Sequence, residues 1–190
     1  MKKFRFTSFI AFFCALFFFA GALAPEISAQ KRDYMTDAEI ELVREAQEID
    51  LRINIIVKMI DRRFAVINNE TLKAEKNAEK WDEPPTGSRR ELLSDINKLL
   101  QKAVDDIDDV AAHNRMDSKL FPKAMKNLAE ASNRYLPQLK SVYDKSPDQK
   151  EKGLIMGATE LCEQIIEASA KIPKDIPKDD KKKKSKNDTQ

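Results

Sequence analysis

Apolar residues recur along this chain at alternating spacings of four and three, the repeat that gathers side chains onto one stripe of an α-helix. The first stripe holds Leu42, Ala46, Ile49, Ile53, Ile56, Ile60 and Ile67, and Arg63 is the position that interrupts it. Thr36-Asp37-Ala38-Glu39 opens the stripe as a capping box, in which Thr36 satisfies a free backbone N–H and Glu39 reaches back. The pattern predicts a long first helix, and its face widens at Val57, Met59, Phe64 and Val66 into the predicted centre of the core. From Asn68 to Lys80 the residues turn charged and Ala-rich, which reads as a solvated helical arm.

Asp82-Glu83-Pro84-Pro85-Thr86-Gly87 is the strongest loop signal, because two prolines remove backbone donors and the glycine permits a turn. Ser88-Arg89-Arg90-Glu91 is a second capping box, followed by Leu92, Ile96, Leu99, Ala103, Ile107 and Val110. After a turn at 113–118, Phe121, Met125, Leu128, Ser132, Tyr135, Leu139 and Val142 mark a third long helix with Pro122 in its first turn. Ser146-Pro147-Asp148-Gln149 reads as a cap with proline at the first helical position, leading into the stripe Leu154, Ala158, Leu161, Ile165 and Ala168. Four amphipathic helices joined by short turns predict an all-α, antiparallel up-down four-helix bundle of coiled-coil-like packing over residues 30–172. Pro173 and Pro177 end the last helix, and the Lys-rich segment 173–190 has too little apolar surface to order itself.

The start of the chain follows a different pattern. Lys2, Lys3 and Arg5 precede a 19-residue uncharged run from Phe6 to Ala24, and Ile27-Ser28-Ala29 supplies small residues for cleavage. This is the layout of a signal peptide over residues 1–29, and it predicts an extracytoplasmic protein, periplasmic or secreted. An uncleaved run of that length would act as an anchor, the one case in which membrane contact is expected.

Setting the leader aside changes the composition. Eight of the ten Phe lie in it, and it holds three of the 34 Lys and Arg and one of the 32 Asp and Glu, leaving 31 of each. A neutral chain argues against nucleic acid as a partner, since such affinity comes from a cationic surface shedding counterions. Cys162 is then the remaining cysteine, so no disulfide forms within the chain. Beside an apolar stripe it reads as a buried thiol.

The residues that carry chemistry are few. Asp106, Asp109 and His113 sit at i, i+3 and i+7 and are the candidate metal ligands, although a carboxylate run between core positions is more often a solvated face. Trp81, beside the proline loop, is either an exposed anchor for a partner or a cover for a helix end. Arg63 at a core position needs an anion, whether a ligand or an acid on a neighbouring helix. Gly153 and Gly157 form a small-xxx-small pair that admits a close neighbour. With one His and one cysteine outside the leader, no motif for hydrolysis, haem or di-iron chemistry is present, so neither an enzyme nor a cofactor is expected.

The resulting expectation is a non-enzymatic exported bundle acting through protein or envelope contacts. The alternative is a small-molecule, metal-binding, sensory or chaperone-like bundle. Met35-Thr36-Asp37-Ala38-Glu39 shares its Thr with the Leu-Thr-x-x-Gln motif of small exported helical chaperones, but both end residues differ, so no family assignment follows.

Overall fold

A computed structural model describes residues 32–70, 81, 84–113 and 119–172; the expected signal peptide, the charged stretch 71–80, residues 114–118 of the expected turn and the lysine tail lie outside the described residues. The chain divides into Met1–Arg32 and Asp33–Gln190, and the fold described here is that of the second unit. Among the described residues every regular element is helical: α1 (Asp37–Glu45), α2 (Ile49–Ile67), α3 (Arg89–Ala112), α4 (Leu120–Lys145) and α5 (Gln149–Ala170). None of these helices is long and apolar enough to cross a membrane.

The expected single long helix is two helices. Its capping box forms as read, with Thr36 and Glu39 exchanging hydrogen bonds of 3.1 and 3.2 Å. At Ala46 the backbone leaves the helical region (ψ 87°), and α2 begins three residues later. The break has no local cause, since Ala46, Gln47 and Glu48 include neither glycine nor proline. It is closed by side chains: Arg52 Nε donates to the Ala46 carbonyl at 3.0 Å, and Gln47 Nε2 to that of Arg44 at 2.7 Å. α1 therefore folds back on α2, with Tyr34, Met35, Leu42 and Val43 partly buried against the core.

The far end of α2 also departs from expectation. Asn69 adopts φ 55°, its N–H bonds the Val66 carbonyl, and the Glu70 N–H bonds the Ala65 carbonyl at 2.8 Å. This left-handed cap satisfies the last carbonyls and stops the helix before the charged stretch that was expected to continue it. Gly87 turns the chain with φ 142°, and the Ser88–Glu91 capping box then starts α3 as the sequence indicates.

The four longer helices share one apolar core, in which Ile53, Ile56, Ile60, Ile96, Leu99, Leu139 and Ala158 are shielded from solvent. Burying each large aliphatic side chain contributes roughly 1.5–3 kcal/mol. Their neighbour relations differ from a simple sequential meander. α2 packs on α3 and α4, α5 packs on α3 and α4, and consecutive α3 and α4 meet only slightly. Asp50 pairs with Lys123 and Asn54 with Asn127, a constant offset of 73 residues, so α2 and α4 run parallel. Arg90–Asp148 and Asn97–Leu154 show the same relation between α3 and α5. Arg52–Asp106 and Arg63–Asp95 run in opposite directions, so α2 and α3 are antiparallel.

Two details of the last pair of helices correct the sequence reading. Asp148, not Ser146, caps α5, accepting from the Lys150 N–H at 2.8 Å. Ser146 is the C-cap of α4, and its hydroxyl donates to Glu151 at 2.6 Å. The buried face of α5 is Ile155, Ala158, Cys162 and Ile165, while Ala168 is exposed. Ala158 and Ile165 are buried as the spacing indicates, and Leu154 and Leu161 are partly buried beside them. Gly157 faces α3, where a Cβ would stand 3.0 Å from Asn97 Oδ1; Asn97 Nδ2 donates to the Leu154 carbonyl at 2.6 Å. Gly153 has open space around it.

Candidate functional site

The most concentrated polar chemistry in the interior centres on Arg63. α2 carries it at the level of α1, and four of its five N–H groups donate hydrogen bonds within the chain. Nη1 donates to Glu39 Oε1 and the Met59 carbonyl, each at 2.9 Å. Nη2 donates to Glu39 Oε2 at 2.7 Å and the Tyr34 carbonyl at 2.6 Å. Nε lies 3.6 Å from Asp95 Oδ2 on α3. Glu39 is wholly buried, and Arg63 and Asp95 are each 1% exposed. A planar guanidinium suits this geometry because its fork matches a carboxylate edge while its remaining N–H groups reach carbonyls.

Glu39 holds two roles at once. Its Oε2 accepts from the Thr36 N–H, completing the cap of α1, and the same carboxylate grips Arg63. A continuous helix would separate residues 39 and 63 by about 36 Å. The fold-back at Ala46 brings them into hydrogen-bond contact.

Next to this cluster, Trp81 is buried rather than exposed. The Arg62 guanidinium lies 5.2 Å and Lys58 Nζ 5.6 Å from its ring, and Arg62 Nη1 donates to its carbonyl at 2.8 Å. The ring is a cover for the α2 surface, held by cation–π contacts.

The candidate metal ligands do not converge. Asp106 turns toward α2 and Lys102, with Arg52 Nη1 at 3.7 Å and Lys102 Nζ at 3.2 Å. Asp109 and His113 pair with each other at 3.2 Å, with side chains 60% and 62% exposed. Among the described residues no group of three or more His, Cys, Asp or Glu is arranged to hold a metal ion.

Cys162 lies in the buried face of α5, not beside it. Burial pushes its thiol up to about 11, against a smaller opposing effect of the Ser132 hydroxyl. A thiol held protonated is a poor nucleophile. Tyr135 is similarly enclosed: it stacks on Phe64 at 5.3 Å, donates to the Val57 carbonyl at 3.0 Å, and burial raises its phenol well above the usual range.

Sequence reasoning singled out Arg63 but missed its partners. Glu39 was legible as a cap and nothing more, because an acid at that capping position explains itself locally. Asp95 and Asp50 stand next to apolar stripe residues Ile96 and Ile49, and that adjacency was the available signal. Asp50 is buried and meets Lys123 at 2.5 Å.

Comparison with protein-family models, curated proteins and solved structures finds no match to this chain.

Proposed function

We propose that this chain is an extracytoplasmic protein whose residues 1–29 direct export, and whose body is a four-helix bundle capped by α1. In this reading it acts through protein or envelope contacts and not by catalysis. The observation that carries the choice is the internal pairing of Arg63. Four of its five N–H groups donate within the chain and its charge lies between Glu39 and Asp95, so the feature that best pointed to a bound anion is accounted for internally. A buried, protonated thiol and an exposed, dispersed Asp109–His113 pair support the same preference.

Two measurements test the reading. Residues 1–35 are fused to a reporter enzyme active only outside the cytoplasm, and the exported product is weighed intact. Activity together with a mass lacking residues 1–29 is the expected result; an inactive reporter overturns the export half. Cross-linking in intact cells should then join the chain to a defined envelope protein or polymer. Recovery of the uncoupled chain alone, across growth conditions, overturns the contact half.

A further inference from the structure

Seen along the sequence, the break between α1 and α2 is an anomaly. Leu42, Ala46, Ile49, Ile53, Ile56 and Ile60 keep their four-three alternation straight through it. The three residues that form the break are compatible with a helix, and the Glu48 N-cap of α2 makes no side-chain capping bond. What holds α1 down is its seat in the fold: the Glu39–Arg63 fork, the Tyr34 carbonyl, and Lys98 of α3 lying 5.6 Å from the Tyr34 ring. Glu39 is the one fully buried residue of α1.

A seat of this kind does not distinguish an α1 of its own chain from that of a second copy. Glu39 and Arg63 each lie twelve residues from Leu51, on opposite sides. Two continuous helices over 37–67, each about 46 Å long, crossing antiparallel at Leu51 would bring each Glu39 to the level of the other chain's Arg63. Leu42 would then stand level with Ile60, Ala46 with Ile56 and Ile49 with Ile53.

We propose that the seat around Arg63 accepts α1 from a second copy of this chain, Ala46–Glu48 becoming helical, to give a two-fold domain-swapped dimer. The docked contacts are those of the folded-back form. The swap adds helical hydrogen bonds at the hinge, offset by the entropy of association. Short hinges favour this exchange because folding back bends a segment that would otherwise continue straight.

The test uses charge reversal in the chain as purified from its producing cells. A Glu39→Arg chain presents two cations to its own seat, and an Arg63→Glu chain gathers three carboxylates there, Asp95 included, so neither seats its own α1. Mixed and refolded together, the two form a swapped heterodimer in which both seats again hold opposite charges. Native mass spectrometry should show a dimer containing one of each chain, with either chain alone failing to dimerise. If the reversed chains unfold when alone, recovery of helical circular dichroism on mixing is the expected result. Absence of a heterodimer, or no recovery of helicity, overturns the proposal. Insertion of two glycines after Gln47 leaves the seat intact and prevents a continuous helix, so it should abolish the wild-type dimer. A dimer that survives the insertion, or a wild-type chain that is monomeric at every concentration after refolding, overturns it equally.

Discussion

α3 carries aspartates in two places, and the structure treats Asp95 and Asp109 oppositely. Near its start Asp95 is sealed beside Arg63 and Glu39; near its end Asp109 and His113 stand in solvent as a local i,i+4 pair. The sequence makes the second place conspicuous, with four Asp within five residues, and the first inconspicuous, with a single one. Density of ionisable residues along a helix marks a surface that water can solvate. A charge that matters to the interior is sparse in sequence, because each buried ion needs its partners delivered by other segments.

That contrast can be broken by mutation. Arg63→Met leaves Glu39 and Asp95 buried without their cation, and should cost about 3–5 kcal/mol in urea unfolding. A loss under about 1 kcal/mol would mean that the carboxylates escape to water and that the first place is no more buried in energy than the second.

Burial without any opposite charge gives the next largest effect. The Cys162 thiol ionises near 9.0 when unfolded and about 11 when folded. A raised folded value means stability that is complete below pH 9 and falls as pH rises toward 11, by at most about 3 kcal/mol for two pH units. Cys162→Ala should remove that slope, so the gap between variant and wild type must change between pH 8 and 10.5. A constant gap would show that the site opens freely to water.

A double-mutant cycle joining Glu39→Gln with Arg63→Met sharpens the comparison, with an expected coupling of about 2 kcal/mol. Additive losses would assign the role of Glu39 to the α1 cap alone. The smallest effects belong to Asp109→Asn and His113→Gln, each within about 0.5 kcal/mol by thermal or urea unfolding, and smaller still at high salt. A larger loss would show that the exposed pair does structural work that its solvation hides.

Much of the architecture was legible because it is local. The stripes, both capping boxes, the glycine turn at Gly87 and the entry of α3 depend on residues within a few positions of one another. The illegible parts share a cause. A stripe at the right spacing looks the same whether the helix is continuous or folds back at Ala46, and Asn68-Asn69 becomes a stop only when Asn69 takes a left-handed conformation. On α5 Ala158 and Ile165 are buried as their spacing indicates, but Ile155 and Cys162 are more deeply buried than their stripe neighbours Leu154 and Leu161, a choice that spacing alone does not make.

By itself, then, the sequence determined the helical character of the described residues, the starts of α1 and α3 and the core position of Arg63, since helical periodicity and capping are set by neighbours three and four residues apart. Only the tertiary structure decided that α2 lies parallel to α4, that α1 folds back, and that Glu39 and Asp95 are the anions Arg63 requires. Those outcomes follow from joining residues 24 to 78 positions apart, as in Arg63–Glu39 and Tyr135–Val57, whose cost and gain depend on which surfaces meet.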